Sequence, residues 1–245
     1  MERKSKNYKI TIEYDGTGYL GWADSIDKTV ESAIAKLTKE EVKIFGAGRT
    51  DAGVHALGQV ANFYLTKEFE AEKIPCGLNH FLKEVDASIR IVNCVEVSSD
   101  FHARFSAVKR YYRYRILNRP HPSILDQNRV WHLHAKLNFD EMLKTLPLLV
   151  GKKDWSCFMS SVCVSNPIKT IDKVNLFRNN EEIIFEIEAK SFLHHQVRTI
   201  MGTIVEVGLG RFTVNDFENI ILSKDRTKAG RNAPPYGLYL VKVDY

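Results

Sequence analysis

Gly46 to Phe63 reads GAGRTDAGVHALGQVANF, and the rest of the chain is organised around this stretch. A short apolar run, Val42, Ile44 and Phe45, precedes it. Its far end alternates, with Val60, Asn62 and Tyr64 facing away from Ala61 and Phe63. The pattern predicts strand, glycine-rich loop, strand. Gly46, Gly48 and Gly53 permit sharp bends and close approach, so Asp51 is expected at the loop tip, presented rather than buried. Two nucleotide-site readings fail on particular residues. A phosphate loop needs G-K-[ST] opening a helix, and a dinucleotide fingerprint needs G-x-G-x-x-G between strand and helix. Here the spacing is G-x-G-x-x-x-x-G, no lysine follows, and the next segment reads as a strand. On residue types alone, a tight turn merely capped by Asp51 stays open, because Asp and Gly dominate turns for local reasons.

Outward from the loop, Tyr8, Ile10, Ile12 and Tyr14 alternate with Lys9, Thr11 and Glu13, which predicts a half-buried strand ending at Asp15-Gly16-Thr17-Gly18. Trp22 follows in a loop. Val30, Ala33, Ile34 and Leu37 form the stripe of a helix capped near Thr29, and Val42 to Phe45 is the next strand. Beyond the loop and its return strand, Ile74, Leu78, Phe81 and Leu82 predict a helix, and Ile89, Ile91, Val92 and Val95 a strand. The order is β-α-β-β-α-β, the ferredoxin-like arrangement.

The second half repeats that order without repeating the sequence. A strand runs through Tyr112, Tyr114 and Ile116. A helix starts at Asn138, with Glu141 placed for a capping box. Strands Ile171 to Phe177 and Ile183 to Ala189 follow. Then come a helix striped by Val197, Ile200, Met201, Ile204 and Val205, a short helix after Thr213, and a last strand from Leu238 to Val243. Pro120 to His134 and Gly151 to Pro167 lack periodicity and read as long loops. The fold class is α+β: two ferredoxin-like halves with mainly antiparallel sheets, residues 1–105 and 106–245, expected to leave a central cleft.

With 245 residues and 44% hydrophobic content, the chain can bury roughly 70 to 75% of its unfolded surface, enough for one large core or two smaller ones. The net charge of +5, 35 basic less 30 acidic residues, permits an anionic partner without requiring one. Cys76, Cys94, Cys157 and Cys163 are scattered, with no C-x-x-C pair, which argues against structural zinc and against a disulfide scaffold. They are expected as buried thiols in a reducing compartment. The opening MERKSKNYKITIEY lacks the apolar core of a signal peptide, and no apolar stretch is long enough for a membrane helix, so the expected location is cytoplasmic.

Three further segments carry chemistry. Phe101 to Phe105 and Lys109 to Arg115 interleave cations with aromatics, a composition that binds phosphates and stacks unpaired bases. A plain strand, with Tyr112, Tyr114 and Ile116 inward and Tyr111, Arg113 and Arg115 solvated, explains the same residues. Ser191 to Arg198, SFLHHQVR, leads into the apolar helix, with Gly202 one turn beyond Arg198 on the same face, where a missing side chain allows close approach. His132, His134, His194 and His195 supply no third metal ligand at recognisable spacing.

These motifs resemble one family. G-R-T-D-A-G-V-H-A followed by G-Q-V is similar to the signature of the TruA family of tRNA pseudouridine synthases, whose catalytic aspartate corresponds to Asp51. The basic residue before Y-x-Y resembles the second family motif and places its active-site tyrosine, which packs on the target base, at Tyr112. F-L-H-H-x-V-R-x-I-x-G resembles the third, and its arginine, the partner of the aspartate, is Arg198. Ala233-Pro234-Pro235-Tyr236-Gly237-Leu238-Tyr239-Leu240 resembles the family's closing motif, so the likeness runs from about Tyr8 to Tyr245. The chain departs from the family with Gln196 in place of methionine, and with Ala23-Asp24-Ser25 where glutamine usually follows Gly21-Trp22.

The resemblance implies an isomerase that converts uridine to pseudouridine in the tRNA anticodon stem-loop, at about conventional positions 38 to 40, with Asp51 as nucleophile. It also implies a homodimer and no nucleotide cofactor, redox cofactor or metal. Arg49, Arg104, Arg110, Tyr112 and Leu193 are the expected substrate contacts, Arg49 filling the space of a displaced base. The rival is a non-catalytic RNA-binding module using the same basic and aromatic face. A pure binder gains nothing from a carboxylate facing phosphates.

Overall fold

The structure, a computed structural model, describes residues 5–160 and 166–245. In chain order its elements are β1 (Lys6–Tyr14), α1 (Asp27–Thr38), β2 (Phe45–Gly46), β3 (His55–Leu65), α2 (Ile74–Glu84), β4 (Ile89–Val97), β5 (Lys109–Asn118), β6 (Trp131–Leu133), α3 (Phe139–Lys144), β7 (Gly151–Asp154), β8 (Ile168–Asn179), β9 (Glu182–Ala189), α4 (Gln196–Gly208), α5 (Val214–Ser223) and β10 (Leu238–Asp244). The class is mixed α+β with mostly antiparallel strands, as the periodicities predict. The chain forms two compact units, Met1–Val108 with Leu240–Tyr245, and Lys109–Tyr239.

In the first unit the strands run β4-β1-β3, with β2 also on β3, and every one of these pairings is antiparallel. Tyr8 lies opposite Phe63 and Ile10 opposite Ala61, so the apolar positions of β1 and β3 share one face. Tyr8 and Phe63 stack with centroids 5.8 Å apart. Ile34 of α1 and Leu78 and Leu82 of α2 are fully buried. The two helices meet where Gly77 leaves room for Leu37: a Cβ at Gly77 would stand 2.7 Å from the leucine's Cδ1. The opposite face of β1 and β3 is covered too, because a polar residue on each strand binds a loop. Asn62 Oδ1 accepts the Ala103 N–H at 2.8 Å, and Asn7 Nδ2 donates to the Ser98 and Phe101 carbonyls, each at 2.9 Å. Both asparagines are buried yet hydrogen-bonded, as buried polar groups must be.

Two local expectations shift in this unit. The strand predicted over Val42 to Phe45 shortens to Phe45–Gly46 because the Ile44 N–H donates to Glu31 Oε1 at 3.0 Å instead of to a ladder. Helix α1 starts at Asp27, and Thr29 is already inside it, with its hydroxyl donating to the Ser25 carbonyl at 2.9 Å.

In the second unit the order is β5-β9-β8-β7, antiparallel throughout, with β6 parallel to the end of β5. Tyr114, Ile116, Ile183 and Phe185 are fully buried, as are Ile200, Met201, Ile204 and Val205 of α4. Helix α5 opens with a complete capping box between Thr213 and Asp216. At α3 only the Asn138 half forms, accepting the Glu141 N–H at 3.3 Å, while the Glu141 carboxylate pairs with Lys144 at 2.6 Å. The two stretches read as loops carry more structure than their lack of period suggests. Pro120 to His134 contains β6. Gly151 to Pro167 contains β7 and a turn, Ser156–Phe158, that buries Trp155, Cys157 and Phe158, while residues 161–165 lie outside the described residues.

The cysteines differ from one another. Burial pushes the Cys94 and Cys157 thiols up to about 12. Cys76 is exposed on α2, against the expectation, and Cys163 lies outside the described residues. Among the described residues no helix is long and apolar enough to cross a membrane.

Candidate active site

The Asp51 loop of the first unit is held from several sides by residues far from it in sequence. Gln59 Nε2 donates to the Gly48 carbonyl at 2.8 Å. Tyr14 and Thr50 join their hydroxyls at 2.8 Å, and the Trp22 N–H donates to the Thr50 carbonyl at 3.0 Å. Asp51 and Gly21 form an antiparallel bridge, and the Val54 N–H closes the turn onto the Asp51 carbonyl at 3.1 Å. Gly21 has φ +111°, and a Cβ there would meet the Thr50 carbonyl oxygen at 2.6 Å, so both conformation and space demand glycine. Gly46 lies on the Trp22 indole, its hypothetical Cβ 2.6 Å from the ring. Asp51 is half-buried, less presented than a bare loop tip, because Gly21 lies against its backbone; Arg49 is exposed.

His55, 2% exposed, supports the same loop from below. Its Nδ1 accepts the Gly16 N–H at 2.9 Å. Gly16 in turn sits so close to Val54 that a Cβ would be 2.1 Å from the carbonyl oxygen. Ala23-Asp24-Ser25, where the chain departs from the family pattern, forms an irregular turn with Asp24 at φ +63° and Ser25 Oγ accepting the Leu20 N–H at 3.3 Å.

In the second unit, β5 divides its residues between two faces. Arg110 is buried on the side of Tyr112, Tyr114 and Ile116, and its Nη1 donates to the Lys190 carbonyl at 2.5 Å. Tyr112 is half-buried and meets the Phe192 ring edge-on at 5.2 Å. Tyr114 is fully buried, donates its hydroxyl to the Pro234 carbonyl at 2.6 Å, and is pushed well above the ordinary phenol pKa by burial. The other face bears cations matched by acids of β9: Lys109 lies 3.5 Å from Glu188, Arg113 2.7 Å from Glu186, and Arg115 2.5 Å from Glu182. The alternation read as a plain strand thus holds, with Arg113 and Arg115 on one face and Arg110 inward on the face of Tyr112 and Tyr114. Arg104, in the first unit, is exposed with its guanidinium 5.7 Å from the Phe105 ring centroid.

At the start of α4, Leu193 is buried and its N–H donates to Gln196 Oε1 at 2.8 Å. Gln196 thereby closes the turn into the helix, although its buried Nε2 has no hydrogen-bond partner among the described residues. Arg198 is half-buried; its Nε donates to the Ala233 carbonyl at 2.9 Å and its own carbonyl accepts the Ala233 N–H at 3.0 Å. Gly202 makes room for this same tail: a Cβ there would overlap the Arg231 carbonyl oxygen at 1.8 Å. Sequence reasoning missed Asn232, which joins Thr199 at 2.6 Å, Arg226 at 3.0 Å and His195 at 3.2 Å. Nothing in its neighbourhood marks it, since each partner lies at least six residues away.

Comparison with known proteins bears on both units. A family model described as tRNA pseudouridine synthase matches residues 10–106 and 146–245. A tRNA pseudouridine synthase A from Ehrlichia chaffeensis is 46% identical over 245 residues, covering 97% of this chain and 99% of its own length. Proteins of the same name from Ehrlichia ruminantium and Wolbachia pipientis wMel match at the same identity and coverage.

Proposed function

The chain belongs to the tRNA pseudouridine synthase family, and from that premise we propose that it isomerises uridine to pseudouridine in tRNA, within the anticodon stem-loop, with Asp51 as the nucleophile. The observation that carries this reading is how the Asp51 loop is built. A carboxylate is carried on backbone pinned by Tyr14, Trp22 and Gly21, and pinned groups are what precise chemistry requires.

The reaction breaks the N1–C1′ bond, turns the uracil while it stays bound, and forms a C5–C1′ bond. The proton lost from C5 is balanced by one gained at N1, so nothing is consumed and no redox cofactor is called for. In this reading Asp51 attacks C1′ as N1 departs and is displaced when C5 attacks in turn. Hydrolysis of a glycosidic bond usually calls for two carboxylates flanking it, whereas this motif supplies one. Arg198 is the proposed partner of Asp51, its guanidinium balancing the carboxylate charge and, through Nε, anchored on Ala233. Tyr112 packs on the uracil. Arg49, beside Asp51, holds the space the base vacates. Arg104 and Arg110 recognise the RNA, and Leu193 closes the apolar side of the site. The enzyme acts in this reading as a cytoplasmic homodimer without a nucleotide cofactor.

The test is pseudouridine mapping of tRNA from cells with and without this protein. Loss of the modification at anticodon stem-loop uridines, restored by the purified protein, is the expected result. Binding of tRNA without conversion would turn the assignment to a non-catalytic RNA-binding protein.

A further inference from the structure

Thr50, immediately before Asp51, is 8% exposed, and its hydroxyl meets that of Tyr14, 2% exposed, at 2.8 Å. Burying two hydroxyls is unfavourable unless they are bonded. Tyr14 is a firm anchor, because it closes a strand paired on both sides, opposite Ala56 of β3 and Ile89 of β4. Its ring lies 6.3 Å from that of Trp22, whose N–H holds the Thr50 carbonyl at 3.0 Å. One aromatic residue therefore touches the side chain of Thr50 and the indole whose backbone fixes the Thr50 carbonyl. Thr50 is itself β-branched and stiff about χ1, so fixing its hydroxyl fixes the backbone that bears Asp51.

We propose that Tyr14 is a positioning residue for Asp51, its hydroxyl acting through Thr50 to set the direction in which the carboxylate projects. The inference rests on the reading of Asp51 as the nucleophile. Attack at carbon tolerates little misplacement: a shift of about 1 Å can cost on the order of 100-fold in rate. Other holds next to Asp51, the Gly21 bridge and the Val54 N–H bond among them, are made by backbone atoms. They keep the loop in place when the hydroxyl is lost but do not fix the Thr50 side chain.

The experiment is single-turnover conversion of tRNA by the full-length Tyr14→Phe, Thr50→Val and Thr50→Ser variants and by the Tyr14→Phe/Thr50→Val double variant, with tRNA affinity and melting temperature measured on each. Tyr14→Phe and Thr50→Val are each expected to slow conversion about 10- to 100-fold while tRNA affinity stays within about twofold. Thr50→Ser, which keeps the hydroxyl, retains most of the rate, and the double variant is no slower than the slower single. Conversion by Tyr14→Phe within twofold of wild type overturns the proposal. So do losses that multiply in the double variant, a Thr50→Ser enzyme as slow as Thr50→Val, or a rate loss that follows melting temperature alone. Asp51→Asn in the same assay separates this failure from failure of the underlying reading. If that variant converts tRNA, the role of Asp51 falls. If it is inactive while Tyr14→Phe is fast, only the positioning role falls.

Discussion

Arg198 and Ala233 hold each other twice, side chain to carbonyl at 2.9 Å and N–H to carbonyl at 3.0 Å, across 35 residues of chain. The first of these bonds uses Nε, which orients the guanidinium plane. Lysine has neither an Nε donor nor a plane, so Arg198→Lys keeps the charge and loses the orientation. Turnover should fall by about two orders of magnitude or more, with the loss of one hydrogen bond costing about 1 kcal/mol of stability. Rapid-quench conversion assays alongside a urea melt check this; near-normal turnover would remove Arg198 from the site.

Gly202→Ala probes the same tail from the helix side. The new Cβ would overlap the Arg231 carbonyl oxygen, a backbone atom that no rotamer change can move away. Gly230 also packs closely on this helix, its hypothetical Cβ 3.0 Å from Thr203 Cα. The expected cost is about 1–3 kcal/mol of stability, with turnover falling further because residues 231–233 must move and Ala233 holds Arg198. A denaturation midpoint equal to wild type would show that the tail is not seated as described.

Arg113 on β5 is matched by an acid while Arg104, ahead of that strand, is exposed, so their effects on RNA should differ. Arg113 pairs with Glu186 at 2.7 Å, so Arg113→Ala removes a cation that is already matched and should leave tRNA affinity within about twofold. Arg104→Ala removes a proposed phosphate contact and should lower the slope of log affinity against log salt by about one. Filter-binding titrations across a salt series distinguish the two. A large effect of Arg113 together with none of Arg104 would remove Arg104 as the phosphate contact.

What the sequence made legible follows from how far apart the interacting residues lie. The βαββαβ order of the first half, the α4 stripe and the close approach at Gly202 are written in local periodicity or in a missing side chain, and the structure has all three. The shortened β2 was not legible, because Glu31, thirteen residues earlier, takes the Ile44 N–H. Nor was the bond that satisfies the inward Arg110: alternation puts it on the face of Tyr112 and Tyr114, but the Lys190 carbonyl that accepts from it lies 80 residues on. At the Asp51 loop the motif announced the aspartate, while Gly21 and Tyr14, which hold its backbone and its neighbour Thr50, stand about thirty to forty residues upstream. Local pattern finds the proposed nucleophile; the groups proposed to aim it are set by tertiary contact.

Asp51→Asn is the sharpest test, because the loop separates shape from chemistry at this residue. The bonds that shape the turn, the Val54 N–H to the Asp51 carbonyl and the bridge to Gly21, are made by backbone, and the neighbouring hold is the Thr50 hydroxyl on Tyr14. None of them uses the carboxylate. The amide has almost the same size, so the melting temperature should stay near wild type and tRNA should bind as well or slightly better, since a carboxylate near phosphates repels them. An amide has neither the charge nor the nucleophilicity to attack C1′, and loss of a covalent catalyst commonly costs about 10⁴- to 10⁶-fold in rate. If Asp51 merely capped the turn, the substitution would cost no more than about 1 kcal/mol and leave conversion intact. The measurement is product formation, tRNA affinity and melting temperature on one preparation of the variant. Conversion persisting at wild-type rate takes the reaction away from Asp51, and collapse of the fold without a specific loss of rate makes the residue structural.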